Sequence, residues 1–143
     1  MLYFLRDPGK SQIEDPFSQT AAYLKSATTP HDKILVWGWE SVIYFLAERE
    51  PPTRFAFQFP AYFNSPYKQE VLTTLLEDIK ADPPLFIVDT LSEEMPLVEN
   101  RSSEDCLTGS KAEDEKLRSI ISYVCTYYQF DRRIEEINIY IKK

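Results

Sequence analysis

The run Ile34-Leu-Val-Trp37, apolar at every position and closed by Gly38, constrains this chain more than any other feature. Such a run suits a short strand buried on both faces, and a strand of that kind needs helices above and below it. The same grammar returns at Leu85-Phe-Ile-Val-Asp89. Between the two runs, Glu40 to Glu48 has helical spacing, with Val42, Ile43, Leu46 and Ala47 on an inward stripe, and it stops before Pro51-Pro52. Tyr67 to Lys80 is the clearest helix: Val71, Leu72, Leu75, Leu76 and Ile79 share one face, charges occupy the other, and Asp82-Pro83-Pro84 ends it.

The remaining elements follow from the same signals. Residues 1–16, with Pro8, Gly9 and Pro16, read as an entry arm or linker. Ser18 caps a first helix that carries Ala21, Ala22, Leu24 and Ala27 and stops at Thr28-Thr29-Pro30. Thr53 to Phe57 reads as a second strand, and Pro60 to Pro66 as an aromatic loop with Tyr62 and Phe63. Thr90 to Ser110 is a polar, acidic excursion. Lys111 to Tyr127 resumes helical spacing through Leu117, Ile120, Ile121 and Val124. Tyr128–Arg132 and Glu136–Ile141 then form two arms of a hairpin around Arg133-Ile134-Glu135. The expected fold is α/β: a three-layer Rossmann-like sandwich over residues 17–143, with a mostly parallel short sheet, helices on both faces and a C-terminal antiparallel hairpin.

At 143 residues the chain has the size of one domain. A net charge of -7 argues against nucleic acid, whose phosphates demand clustered Lys and Arg. No stretch reaches the roughly eighteen apolar residues of a membrane span, and the N-terminus is too short for a signal-peptide core, so the chain as given is expected to be soluble. The two cysteines, Cys106 and Cys125, match no metal pattern. A free loop thiol and a buried helix thiol are expected, with one disulfide as the alternative.

Candidate chemistry is sparse. The single histidine, His31, sits in a turn at the amino end of the first strand, away from the carboxyl end where open α/β sheets bind ligands. There is no HExxH, no GxSxG elbow and no glycine-rich fingerprint, so no zinc, NAD, FAD, nucleoside triphosphate or other cofactor is expected and no catalytic residue is assigned. Glu40 and Asp89 are the carboxylates that would lie at the carboxyl edge of the sheet. They read more simply as a first-turn acid favoured by the helix dipole and a strand-end cap. Trp37 should point into the core and Trp39 should lie at the sheet edge. With Tyr44, Arg54, Tyr62 and Phe63, Trp39 forms a candidate ring-lined surface for stacking a sugar or packing on a partner; equally, these rings fill the core.

The segment 32–55, from Asp32-Lys-Ile-Leu-Val-Trp-Gly-Trp-Glu through Pro52-Thr-Arg-Phe55, together with Pro83-Pro-Leu-Phe-Ile-Val88, resembles the C-terminal region of bacterial GT-C membrane glycosyltransferases related to the dolichyl-phosphate-mannose-protein mannosyltransferases. The resemblance covers the chain from about Phe17 to Asp89. It implies a soluble domain that follows a many-span membrane domain on the extracytoplasmic face of the membrane, in an enzyme using a polyprenyl-phosphate sugar donor. The family's catalytic acid lies in the membrane part, so none is carried onto this chain. The pattern Trp37-Gly38, Tyr44 and Pro52-Thr53-Arg54-Phe55 is carried over as fold-defining first and acceptor-binding second. The partners implied are the membrane domain of the same parent protein and a glycan or polypeptide acceptor. Two other readings stand beside it: an independent protein-interaction module, and a free-standing enzyme using Glu40 or Asp89, which requires a pocket holding a carboxylate of strongly raised pKa.

Overall fold

The computed structural model describes residues 15–62, 65–91, 97 and 114–143, without the side chains of Phe59 and Tyr62. The first helix, α1 (Pro16–Ala27), is started by Asp15, whose carboxylate accepts the backbone N–H groups of Phe17 and Ser18 at 3.0 Å each. Pro16 enters where an N–H would have no helical partner anyway. The cap is therefore Asp15 and not Ser18, whose hydroxyl donates to the same carboxylate. Then follow β1 (Ile34–Trp37), α2 (Val42–Ala47), the single turn α3 (Phe59–Tyr62), α4 (Lys68–Ala81), β2 (Phe86–Asp89), α5 (Glu115–Tyr127), β3 (Tyr128–Ile134) and β4 (Ile137–Lys142). The fold class is α/β.

The sheet has the order β1-β2-β4-β3. Only β1 and β2 are parallel, with Ile34 opposite Phe86 and Trp37 opposite Asp89; β2–β4 and β4–β3 are antiparallel. The expected mostly parallel sheet is thus corrected to a mixed one in which antiparallel pairings predominate. Two causes combine. The hairpin places β4 directly against β2, and Thr53–Phe57, expected as a strand, is irregular. Pro51 and Pro52 have no N–H to give a ladder, and the outer edge of β1 is already occupied. There the Ile34 N–H donates to Glu50 O, the Val36 N–H to the Tyr44 hydroxyl oxygen, and the Gly38 N–H to Gln58 Oε1, while Gln58 Nε2 donates to Val36 O. A tyrosine and a glutamine side chain stand where a strand's backbone was expected.

Side-chain alternation along the strands divides the core. Leu35, Trp37, Ile87 and Tyr140 face α4 and α5, where Leu72, Leu75, Ile79, Ile120 and Val124 pack on them. Ile34, Val36, Phe86, Val88 and Ile139 face α1 and α2 and meet Ala21, Leu24, Ile43 and Ala47. Each fully buried Leu or Ile contributes roughly 2 kcal/mol. The C-terminal ends of α1 and α2 are joined by Arg49, which is buried: its guanidinium donates to Thr28 Oγ1, Thr28 O, Lys25 O, Ala47 O and Glu48 O. It satisfies carbonyls that both helices leave open.

The hairpin is longer than expected, with Ile134 opposite Ile137 and the chain reversing at Glu135, whose φ is 52°. Most of the entry arm, most of the 90–110 excursion, Phe63, Cys106 and the residues just before Asp114 lie outside the described residues. Leu97, from within the excursion, is buried in the α4/α5 core. Among the described residues no helix is long and apolar enough to cross a membrane.

Candidate functional site

The carboxyl ends of β1 and β2 lie side by side, and the turn that leaves β1 carries the residues singled out above. Gly38, at φ 127°, takes a conformation that a side chain would resist, and it lets the chain turn sharply after the buried Trp37. Thr90 locks the two strand ends together: its N–H and its hydroxyl both donate to Trp37 O, at 3.1 and 2.8 Å. Trp37 is in the core, as expected.

Asp89 is fully buried on the α4/α5 side, in register with Trp37 on β1 and Asn138 on β4. Its Oδ1 accepts the Leu91 N–H at 2.9 Å, the local turn bond of a strand-end cap. Asn138, which sequence reading passed over, is fully buried beside it, and neither amide atom has a hydrogen-bond partner among the described residues. Glu40 is half-buried and sits ahead of α2 and not in its first turn, since Ser41 is the N-cap; its carbonyl accepts the Ile43 N–H. The dipole role expected for Glu40 is thereby corrected by one turn boundary.

Tyr44 is also corrected. It is buried, its hydroxyl oxygen accepts the Val36 N–H at 2.8 Å, and burial pushes the phenol far above its ordinary range. Tyr44 is first a strut between α2 and β1, and only its margin reaches the depression beside α2. Arg54 is exposed, and Tyr62 closes α3 with its side chain outside the described residues. Among the candidates whose side chains are described, Trp39 is the ring on the surface: it is 41% exposed and stacks on Phe57, itself 43% exposed, with centroids 5.8 Å apart and planes at 21°. Phe57 carried no signal in the sequence beyond being a ring in an alternating segment.

A second surface feature was read wrongly from the spacing. Of the four residues expected inward on α2, Ile43 and Ala47 are buried, but Val42 is 44% and Leu46 39% exposed, and Phe45 is 82% exposed. Tyr44 takes the inward place instead. Phe45 and Leu46 form one side of an open depression of about 650 Å³ that also meets Arg49, Glu50 and Pro51.

Asp15, Glu48 and Glu50 are all held below the ordinary carboxylate value, Asp15 chiefly by the Ser18 N–H and the glutamates by Lys25 and Lys33. At Asp114 burial pushes upward, but the Leu117 N–H, the Gln69 amide and further donors outweigh it and the value falls. His31 is exposed in its turn. No group of three or more His, Cys, Asp or Glu is placed to hold a metal ion among the described residues. Cys125 is disulfide-bonded, so the free helix thiol is corrected in favour of the alternative. No protein-family model, curated protein or solved structure matches this chain.

Proposed function

We propose that this chain is a non-catalytic docking domain, the extracytoplasmic accessory domain of a membrane glycosyltransferase that uses a polyprenyl-phosphate sugar donor. The observation that carries the proposal is the outward face of α2. Val42, Phe45 and Leu46 recur at helical spacing with no charge among them and stay in solvent. Together they offer on the order of 300 Å² of apolar surface, a size that on a monomer is often functional. A free-standing complex needs about 800 Å² per partner. The stripe falls well short of that but suffices for a contact between domains of one polypeptide, where tethering supplies a high effective concentration.

One observation and one resemblance support the reading. A disulfide-bonded Cys125 fits an oxidising compartment. The resemblance of residues 32–55 and 83–88 points to the same family, and within it we read the parallel β1–β2 pair and its connecting helices as a Rossmann-like unit.

An antibody raised against this chain, used on fractionated native cells, tests the proposal. The expected result is an immunoreactive polypeptide far larger than 16.8 kDa, recovered with membranes. Recovery at 16.8 kDa in the aqueous fraction would overturn the transferase reading and leave an independent protein-interaction module as the account of the α2 stripe.

A further inference from the structure

Trp39 and Phe57 are held from behind by the same amide that closes the outer edge of β1. Trp39 directly follows Gly38, whose N–H donates to Gln58 Oε1 at 2.8 Å; Phe57 directly precedes Gln58, whose Nε2 donates to Val36 O at 3.1 Å. One amide side chain, fully buried, thus staples the backbone next to each ring to the end of β1. The two rings lie nearly parallel and each keeps about two-fifths of its surface in solvent. Rigid support of this kind is what a binding site requires of its contact groups. Both rings sit at the carboxyl end of β1, beside the carboxyl end of its parallel neighbour β2.

We propose that Trp39 and Phe57 form a preorganised platform for the apolar face of a sugar ring, which makes the turn after β1 a glycan-binding site. Size and charge select this ligand class. A stacked pair whose rings each keep on the order of 100 Å² exposed offers a single outer ring face, which matches one sugar ring and not a protein interface. A nucleobase would stack equally well, but its phosphates would meet a chain of net charge -7. Polar groups for sugar hydroxyls flank the platform in the chain: half-buried Glu40 beside Trp39, and exposed Arg54 three residues before Phe57. The inference deepens the accessory-domain reading by naming a glycan acceptor, yet it uses residues other than the α2 stripe.

The test titrates the full chain with mannotriose, cellotriose, maltotriose and chitotriose while following the two indole N–H resonances by NMR. Trp37 is fully buried and reports on folding; Trp39 reports on the platform. At least one sugar should shift the Trp39 resonance saturably with a Kd on the order of 1 mM. Measured by isothermal titration calorimetry, since the Trp39 variants lack the reporting indole, Trp39→Ala should weaken that binding by about tenfold or more, Trp39→Phe by no more than about threefold, and Phe45→Glu not at all. Absence of any Trp39 shift at about 20 mM of all four sugars, or unchanged binding by Trp39→Ala with the Trp37 resonance intact, would overturn the proposal. Sugar binding by a chain that proves to be a 16.8 kDa aqueous protein would keep this site and remove the transferase reading; the converse pair of results would do the reverse.

Discussion

The two helical layers cover the sheet by different means. On one side α4 and α5, of 14 and 13 residues, are amphipathic: Val71, Leu72, Leu75 and Ile79, and Leu117, Ile120, Ile121 and Val124, all turn inward. Their outer faces are polar, and the two helix starts are tied together where Gln69 and Lys68 reach the Asp114 carboxylate. On the other side α2 has six residues, no side-chain cap bond at Ser41, and an end in the left-handed conformation at Glu48. A helix so short has no stability of its own. It persists because Tyr44 bonds to β1 and Arg49 fastens its last carbonyls to those of α1. The difference teaches that apolar spacing identifies the inward face of a long amphipathic helix, whereas in a six-residue helix apolar all round it says neither which residues turn inward nor whether the other face has a cover. In α2 both faces are apolar, and one of them has no cover.

The sharpest way to break that comparison uses one residue type in both layers. Leu75→Ala, at a fully buried position in α4, should cost about 3 kcal/mol in urea unfolding, whereas Leu46→Ala in α2 should stay within about 0.5 kcal/mol. Equal losses would mean that the outer face of α2 is covered after all, and the docking argument would fall with it. The next effect concerns how the short helix is held. Arg49→Met removes the guanidinium from five acceptors and should cost about 2 kcal/mol, and Arg49→Lys should recover less than half of it because an ammonium cannot reproduce the planar fork. Full recovery by lysine would show that charge near the helix ends, and not the hydrogen-bond pattern, holds α2.

What was legible in the sequence was local. Helix α4, strand β2 and the body of α5 follow from apolar period and from proline and glycine stops, and both signals act within a few residues. The buried Trp37, the exposed His31 and the strand-end role of Asp89 follow for the same reason. Strand order was not legible, because a hairpin can dock on either edge of a parallel pair, and the choice depends on which edge is already occupied. That edge is occupied by Tyr44 and Gln58, eight and 22 residues from the Val36 groups they bond, with nothing in the local pattern to announce it. The same non-local bonds turned Thr53–Phe57 from an apparent strand into an irregular segment and brought Phe57 under Trp39. At the candidate site, then, the sequence pointed to Trp39 but not to its partner or its staple.

The smallest expected effect probes what the two layers have in common. Asp15 starts α1 and Asp114 starts α5, each accepting two backbone N–H groups, and both carboxyls sit below their ordinary value of 3.8. A carboxyl whose folded pKa is lowered gives stability that is present above its unfolded pKa and lost as pH falls through the folded pKa. Stability should therefore begin to fall as pH drops below about 4 and continue falling until both groups are protonated. Asp114→Ala should cost about 1 kcal/mol at pH 7, while Asp114→Asn, which still caps, should cost much less and should flatten the acid limb of the pH profile. Asp15→Asn should flatten that limb too, since the caps of the two layers are built alike. If Asp114→Asn flattens the profile and Asp15→Asn does not, the layer that carries the unpaired α2 stripe is already loosened in acid before α1 loses its cap.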